Sequence, residues 1–185
     1  MKIEIRPAER DDLEAMLVIY NDAIINTTAV YDYQPRASET QQQWFENKQA
    51  QRLPIFVAHD GVTIVGFGSF GPFRPWPAYQ FTVENSLYVD SAYRRKGTGT
   101  ALLASLVSAA QAAGYHAMVA GIDATNEASL ALHRKAGFQP VAHFREVGWK
   151  FERWLDLVFM ERILGRSSGV AGVQEFRSLN WTGLG

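Results

Sequence analysis

Hydrophobic spacing at the start of the chain predicts a short strand followed by a helix. Residues 2–6 alternate between polar and apolar side chains, and Pro7 ends the alternation. After Asp11 and Asp12, either of which can cap a helix, apolar residues recur at helical intervals. These residues are Leu13, Met16, Leu17, Tyr20 and Ile24. The chain is therefore expected to begin with one strand and one amphipathic helix.

A loop and a second helix are predicted next. Residues 26–36 are polar and aromatic and include a proline, which favours a loop. Ser38 and Gln41 have the spacing of a capping box, and they predict a helix that ends before Pro54.

Two strand-like runs, residues 55–59 and 63–70, flank the dipeptide Asp60-Gly61, which is a good turn former. They therefore predict a hairpin. Residues 71–78 follow with three prolines, so they are too stiff for a helix and too broken for a strand.

The stretch from residue 79 to residue 110 changes character in a fixed order. Residues 81–89 are aromatic and β-branched and predict a strand. Residues 94–99 form a basic, glycine-bearing turn, and residues 100–113 are rich in alanine and leucine and predict a helix. A strand that leads through such a turn into a helix presents free backbone N–H groups at a positive dipole end. This stretch therefore predicts an anion site, most simply one for phosphate.

The remaining elements follow from the same patterns. Strands are expected at residues 116–122, 138–144 and 154–160, and a helix at residues 126–135, which Gly137 stops. Residues 147–153 are expected to turn between the last two strands. Residues 165–185 are rich in Gly and Ser without a steady period, so we expect a tail without chemistry; a partner-binding arm is the alternative.

The order of these elements predicts an α/β fold in three layers, with a mixed central β-sheet flanked by helices. A chain of 185 residues has room for one domain with a full core, and we place that domain at residues 1–164.

Composition and charge exclude several classes of function. A formal net charge of −1 argues against a nucleic-acid-binding protein. Cys is absent, which excludes disulfides and a cysteinyl acyl-enzyme. The four His are scattered without ligand spacing, so no metal site is predicted. No apolar run reaches membrane-spanning length and the first residues lack a signal-peptide core, which predicts a cytoplasmic protein with no membrane partner.

The basic turn narrows the choice of phosphate ligand. It is neither a Walker A loop nor the dinucleotide fingerprint, because the full pattern of neither motif is present. Arg94, Gly97 and Gly99 match the spacing [RQ]-x-x-G-x-[GA], which resembles the pyrophosphate loop of the GNAT superfamily of acyl-CoA N-acyltransferases. For this turn taken alone, a basic helix start without a ligand is the alternative.

Further motifs resemble the phosphinothricin and methionine sulfoximine N-acetyltransferase branch of that superfamily, and the resemblance covers residues 3–164. Residues 82–89, TVENSLYV, resemble its TVE-x-S-x-YV strand. Residues 124–138, ATNEASLALHRKAGF, resemble its N-x-x-S-x-x-LH-x-x-x-G-[FY] segment. Residues 148–156 resemble its G-x-K-x-x-x-W-x-D ending. The resemblance implies the GNAT fold, with acetyl-CoA as co-substrate.

Glu84 is the predicted general base. An ammonium with a pKa of about 9–10 has no lone pair, so its attack on a thioester requires a base. A carboxylate on the central strand, close to where the thioester would lie, can take that proton directly or through water. The alternatives for a strand glutamate are an ion pair with a neighbouring Arg and simple solvation.

The resemblance also implies which residues hold CoA. Backbone groups of Leu87, Tyr88 and Val89 would bind the pantetheine arm at the strand edge, and an N–H near Leu87 would stabilise the oxyanion. The pyrophosphate would lie on the N–H groups of the turn, which also supplies charge. The residues of the turn predicted to bind CoA are Arg94, Arg95, Lys96, Gly97, Thr98, Gly99 and Thr100.

Three residues of the predicted helix at 126–135 are further candidates. His133 stands where much of the superfamily has a tyrosine that protonates the leaving thiolate, so the resemblance implies a general acid; packing at the helix end is the alternative. Asn126 would bond the pantetheine amide, cap the helix, or do both. Lys135 would reach the CoA phosphates or remain an exposed lysine.

The predicted substrate-binding residues lie in two loops and near the last strands. Arg74 can hold a substrate carboxylate bidentately while neighbouring aromatic residues wall the side chain, with plain hydrophobic cover as the alternative. The other candidates are Val30, Tyr31, Phe73, Trp76, Lys150 and Trp154, together with Glu84 itself. Lys150 and Trp154 would act within the chain or from the second subunit of a homodimer, which the resemblance implies.

These residues predict an acetyl-CoA-dependent N-acetyltransferase that acts on the α-amino group of a small amino-acid-like acceptor by direct attack, without a metal. The resemblance suggests methionine sulfoximine, methionine sulfone and phosphinothricin as acceptors, and hence resistance to such compounds. The alternatives are a peptide or protein N-terminal acetyltransferase and a non-catalytic acyl-CoA sensor.

Overall fold

The computed structural model of the chain describes residues 2–165. Its strands are β1 (Glu4–Pro7), β2 (Ile55–His59), β3 (Ile64–Pro72), β4 (Thr82–Val89), β5 (Ala117–Asp123), β6 (Gln139–Lys150) and β7 (Arg153–Ile163). Its helices are α1 (Leu13–Asn26), α2 (Ser38–Ala50), α3 (Thr98–Ala112) and α4 (Glu127–Lys135). Apart from Gly165, the predicted tail at residues 165–185 lies outside the described residues.

All seven strands form one mixed sheet in the order β1-β2-β3-β4-β5-β7-β6, which confirms the predicted architecture. Every neighbouring pair is antiparallel except β4 and β5. These two parallel strands pair only from Thr82 to Glu84 on β4 and then separate. The rest of β4 stays paired with β3 on its other side. The sheet therefore opens between β4 and β5, immediately after Glu84.

Helices cover both faces of the sheet. Successive residues of β2 point to opposite faces, so their neighbours show which helices cover each face. Ile55 and Val57 pack in one cluster with residues of α1 and α2. Phe56 and Ala58 instead pack in a cluster with Leu102 of α3. The sheet is thus the middle of three layers, as expected from the sequence.

Two glycines of β3 let α3 approach the sheet closely. A Cβ at Gly66 would lie 2.9 Å from Tyr88 O and 3.2 Å from Leu102 Cδ1. A Cβ at Gly68 would lie 3.0 Å from Leu106 Cδ1. Because Gly66 and Gly68 have no side chains, α3 packs directly on β3. This close packing fixes the direction in which the first turn of α3 points.

Gly66→Ala is expected to lower the free energy of unfolding by about 1–3 kcal/mol, because the added methyl group has no room in a packed interface. Urea unfolding followed by circular dichroism measures the change. Val62→Ala serves as the control because Val62 is 97% exposed. A Gly66→Ala protein as stable as the control would contradict this account of the α3 packing.

The expected cap of α2 differs from the prediction, and that of α1 is confirmed in position but makes no side-chain capping bond to the helix. Ala37 occupies the N-cap of α2, and the Gln41 side chain is buried, where it accepts a hydrogen bond from Arg36 at 2.9 Å. Asp12 does occupy the N-cap of α1, but its carboxylate binds Arg6 at 2.7 Å and the Glu9 N–H at 2.8 Å. Arg6, Glu9 and Arg36, which lie three to six residues away from their partners along the chain, therefore take the place of capping bonds to the first N–H groups of α1 and α2.

Two segments predicted as irregular belong in part to strands. β3 continues through Gly71 and Pro72, which pair with β4, because Pro72 lies at the end of the strand and needs no N–H for the ladder. β6 continues to Lys150, and the turn to β7 is confined to Phe151 and Glu152, which have φ values of 51° and 56°. The expected turn at residues 147–153 was therefore too wide.

Candidate functional site

A cavity of about 1000 Å³ lies where β4 and β5 separate. Its walls come from β4, β5, α4, the first turn of α3 and the loop after α1. The predicted site residues that line it are Val30, Tyr31, Glu84, Leu87, Tyr88, Val89, Arg94, Arg95, Gly97, Gly99, Thr100, Asn126, His133 and Lys135. Folding thus brings predicted residues from four separate segments to one cavity.

Other predicted site residues lie outside the lining of this cavity. They are Lys96, Thr98, Phe73, Arg74, Trp76, Lys150 and Trp154. The Thr98 side chain is buried at the start of α3 and donates to Tyr93 O at 3.2 Å. Trp154 is 58% exposed and lies against Trp149, with ring centroids 5.0 Å apart. Direct contact between these side chains and a ligand stays a prediction.

Glu84 is the last residue of β4 that pairs with β5, so its side chain lies where the sheet opens. Its Oε2 atom is 3.8 Å from Arg74 Nη1, which is too long for a hydrogen bond. Burial raises the pKa of the Glu84 carboxyl, and the positive charge of Arg74 acts in the opposite direction. Glu84 and Arg74 thus form a loose ion pair, and the raised pKa makes the Glu84 carboxylate a better proton acceptor than an ordinary carboxylate.

Gly121 of β5 provides the space that the Glu84 carboxylate occupies. A Cβ at this position would lie 3.2 Å from Glu84 Oε1. Gly121 also lines the cavity. Gly121 is not among the site residues predicted from the sequence, although a glycine inside the buried strand run of residues 117–123 is a signal of close approach.

Arg74 is held beside Glu84 by its own neighbours. Its Nη1 atom donates to Phe73 O at 2.7 Å, and its guanidinium lies 4.1 Å from the centroid of the Phe73 ring. The Phe73 ring in turn packs edge-on against Tyr79 and Phe159. The proline-containing loop therefore places a cation next to the predicted base.

The first turn of α3 has the backbone conformation of an anion site. Gly97 is its N-cap with φ of 87°, and Arg95 also has a positive φ of 60°. Such residues turn successive N–H groups toward one point at the positive end of the helix dipole. Arg94 Nε donates to Val89 O at 3.2 Å, which ties the basic turn to the end of β4.

On α4, Asn126 caps the helix by accepting a hydrogen bond from the Ser129 N–H at 3.1 Å, and it also lines the cavity. His133 is buried, and its ring lies against Phe138 with centroids 5.1 Å apart. Its Nδ1 atom is 2.9 Å from Ser129 O, and its Nε2 atom is 3.3 Å from Asn85 Oδ1. Burial lowers the pKa of His133, and the Ser129 carbonyl partly opposes this effect.

Tyr31 and Asp123 form another wall of the cavity. The Tyr31 hydroxyl lies 3.3 Å from Asp123 Oδ2 and 3.3 Å from Asp156 O. Burial and the nearby Asp123 raise the pKa of Tyr31 to about 12, so the hydroxyl stays protonated and can donate. Arg153 also lines this cavity. Asp123 and Arg153 are not among the site residues predicted from the sequence, and no local pattern distinguishes them from other polar residues.

Lys150 is a buried ammonium that faces backbone rather than the cavity. Its Nζ atom donates to Ile24 O at 2.6 Å, Thr27 O at 2.9 Å and Val30 O at 2.6 Å. Burial lowers the pKa of Lys150, and the charge of Asp32 opposes this. Lys150 thereby ties β6 to the end of α1 and to the loop that carries Val30 into the cavity wall.

Within residues 2–165 there is no group of three or more His, Asp or Glu placed to hold a metal ion. In the same part of the chain no helix is long and apolar enough to cross a membrane.

Comparison with known proteins gives these features a context. The profile of the acetyltransferase (GNAT) family matches residues 15–138. The L-methionine sulfoximine/L-methionine sulfone acetyltransferase of Pseudomonas aeruginosa is 44% identical over 162 residues, which cover 87% of this chain and 94% of that protein.

Two solved structures extend the comparison. An acetyltransferase from Salmonella typhimurium with its cofactor acetyl-CoA has a TM-score of 0.87 and 37% identity, covering 90% of this chain and 96% of that one. A phosphinothricin acetyltransferase from Sinorhizobium meliloti in complex with acetyl-CoA has a TM-score of 0.87 and 34% identity, covering 92% of each chain.

Proposed function

Because the chain belongs to the acetyltransferase (GNAT) family, we propose that it acetylates the α-amino group of small amino-acid-like acceptors such as methionine sulfoximine, methionine sulfone and phosphinothricin. Membership of the family and its fold confirm the resemblance stated from the sequence, and the chain is an N-acetyltransferase that uses acetyl-CoA. The observation that carries the proposed reaction is the cavity at the opening of the sheet, which joins the anion site to Glu84, and the relatives supply the acceptor class.

The cavity has the features that acetyl-CoA needs. The backbone of β4 beyond Glu84 is free of β5, so Leu87, Tyr88 and Val89 can pair with the amides of the pantetheine arm. The N–H groups at the start of α3, with the adjacent Arg95, fit a pyrophosphate. The acetyl group would then lie near the point where the strands separate.

In the proposed reaction Glu84 removes a proton from the acceptor ammonium, and the free amine attacks the thioester carbon. The raised pKa of Glu84 supports this role, because a base is most effective when its pKa lies near the working pH. His133 would donate a proton to the departing thiolate. Since CoA thiolate is itself a weak base, this second step needs only a weak acid.

Arg74 is the proposed partner of the acceptor carboxylate. Its guanidinium lies beside Glu84 and keeps free donors after its bond to Phe73 O. A carboxylate at Arg74 would place the α-amino group of the same small molecule near Glu84. Tyr31 and Val30 would contact the acceptor side chain from the loop after α1.

The acceptor class is tested by following CoA-thiol release from acetyl-CoA with a panel of amines. The panel contains methionine sulfoximine, methionine sulfone, phosphinothricin, unmodified amino acids and short peptides. Saturable turnover confined to the sulfoximine-like compounds is expected. Turnover with peptides alone would favour a peptide N-terminal acetyltransferase. Binding of acetyl-CoA without turnover on any amine would favour an acyl-CoA sensor.

Gly121→Ala is expected to lower kcat by about tenfold or more while leaving the Kd for acetyl-CoA within about twofold, since a group misplaced by a fraction of an ångström loses much of its catalytic effect. The added methyl group would press on Glu84 Oε1 without touching the anion site. Steady-state kinetics measures kcat, and calorimetric titration measures the Kd for acetyl-CoA. An unchanged kcat would show that the space at Gly121 does not matter to the base.

We also propose that the chain forms a homodimer through the exposed β6–β7 edge, by which we mean Phe144, Val147, Trp149 and Trp154. These side chains are 47%, 52%, 46% and 58% exposed, respectively, and β6 is an edge strand. An exposed apolar edge of this kind is usually covered. In such a dimer Trp154 would be near a partner cavity, as the resemblance implied. Light scattering of the protein and of Trp154→Glu distinguishes dimer from monomer.

A further inference from the structure

Asn85 and His133 form a hydrogen-bonded chain whose two ends are backbone carbonyl oxygens. Asn85 Nδ2 donates to Val119 O at 3.0 Å, and Asn85 Oδ1 lies 3.3 Å from His133 Nε2. On the far side of the ring, His133 Nδ1 lies 2.9 Å from Ser129 O. The two residues are only 7% and 3% exposed, so their polar groups depend on each other for hydrogen bonds.

The number of protons available to these three hydrogen-bond contacts differs between neutral and protonated His133. A carbonyl oxygen can only accept, so Val119 O requires the amide NH₂ of Asn85, and Ser129 O requires a proton on Nδ1. The amide then presents its oxygen to Nε2, and that contact requires a second proton on the ring. A neutral imidazole has one proton and leaves one contact unfilled, whereas the protonated ring fills all three.

Other arrangements of the same groups satisfy fewer contacts. Turning the Asn85 amide over would place its oxygen against Val119 O, where neither atom can donate. The Ser129 hydroxyl is 3.5 Å from His133 Nδ1 and is too far away to replace the carbonyl contact at 2.9 Å. The longest contact in the chain, at 3.3 Å, is the one between Asn85 Oδ1 and Nε2. Nε2 is therefore the position at which the neutral ring lacks its proton.

We propose that Asn85 is a positioning residue that stabilises a proton on Nε2 of His133. Asn85 is anchored by Val119 of β5, so its oxygen, rather than its NH₂ group, faces the ring. Both residues line the cavity, which makes the proton available there. The use of this proton rests on the proposed function: the Nε2–H bond breaks, an S–H bond forms on the departing CoA, and the ring becomes neutral. The proton's position does not depend on that use.

The surroundings of the ring disfavour a proton on Nε2, so a hydrogen-bond acceptor such as Asn85 Oδ1 is needed to stabilise it. Burial lowers the pKa of His133. The groups described in contact with the ring are Asn85 from β4, Ser129 from its own helix and the Phe138 ring, and none of them titrates near neutral pH. The charged residues that share the cavity are Glu84, Arg94, Arg95, Asp123, Lys135 and Arg153.

Asn85→Leu and Asn85→Asp test the proposal in opposite directions. Leucine removes the acceptor, and the pKa of His133 is expected to fall by about half a pH unit or more, the equivalent of one net hydrogen bond. Aspartate keeps the size and adds negative charge, and the pKa is expected to rise. Nitrogen-15 NMR of the imidazole rings, in a pH titration without acetyl-CoA or acceptor, measures the pKa of His133 in both variants. The His133→Gln protein assigns the His133 signal.

Asn47→Leu is the matched control, because it makes the same replacement on the exposed face of α2, far from the cavity. Thermal unfolding checks that each variant is folded, and Asn85→Asp alone remains decisive if the leucine variant is not. A His133 titration that stays unchanged with aspartate at position 85 would overturn the proposal.

The same variants separate this inference from the proposed function. If His133 is the general acid, the alkaline limb of the pH profile of kcat should move with the pKa of the ring. Opposite NMR shifts without any movement of that limb would support the position of the proton and remove His133 from the proposed acid step.

Discussion

Glu84→Gln is expected to lower kcat for acetyl transfer by about 100- to 10,000-fold, the usual contribution of a positioned general base. Glutamine keeps the shape and hydrogen-bonding reach of the side chain but cannot take a proton. The Kd for acetyl-CoA should change little, because the Glu84 side chain is not among the predicted CoA contacts. CoA-thiol release under saturating acceptor, with calorimetry for acetyl-CoA, measures both quantities.

The pH dependence sharpens this prediction. Glu84 acts as a base only when ionised, so wild-type kcat/KM should rise with pH through a pKa above the ordinary carboxyl value of 4.5. The residual activity of Glu84→Gln should lack this ascending limb. If Glu84→Gln keeps the ascending limb of the pH profile and a near-normal rate, Glu84 is not the base, and water would deprotonate the acceptor.

The change in the free energy of unfolding of Glu84→Gln distinguishes loss of the base from loss of folding. A carboxyl whose pKa is raised on folding favours the folded state in its protonated form, so its ionisation lowers the free energy of unfolding as pH rises through the raised pKa. Glu84→Gln removes this cost and should unfold at the same temperature as wild type, or higher, at neutral pH. Glu14→Gln, an exposed residue of α1, is the matched control.

Lys150→Met is expected to lower the free energy of unfolding by about 2–4 kcal/mol, because it leaves buried carbonyl groups without a donor. A protonated ammonium has three N–H groups, and Lys150 directs them at the carbonyls of Ile24, Thr27 and Val30. Methionine fills a similar volume but offers no donor. Urea unfolding measures the loss, and Lys2→Met, at an exposed position, is the control.

The same substitution should separate the two substrates. The three carbonyls belong to the end of α1 and to the loop that lines the cavity beside Tyr31, so a loosened loop should raise KM for the acceptor by about tenfold or more, as expected when positioning groups shift. The anion site at α3 lies on a different element, and the Kd for acetyl-CoA should stay within about twofold. Equal effects on both substrates would indicate general unfolding rather than a loosened loop.

Lys150 also illustrates how a motif can identify a residue without showing where its side chain lies. The family ending marked it as a residue of the pocket, contacting substrate. In the fold it lies behind the pocket wall, where its ammonium replaces hydrogen-bond donors that the end of α1 cannot supply itself. Nothing in the residues around position 150 indicates that its partners lie more than a hundred positions earlier.

The amino-acid sequence alone was sufficient for the order of the strands and helices and for the family. These features depend on local spacing and on motifs a few residues long, such as the turn at residues 94–99, and neighbouring residues specify them. The neighbours of Glu84, Asn85 and Lys150 could be assigned only in the folded chain. Asn85 meets His133 48 positions away, and Lys150 meets Ile24 126 positions away. Such contacts form when the sheet opens after Glu84 and the layers pack, so they depend on the relative positions of whole elements, which no local pattern encodes.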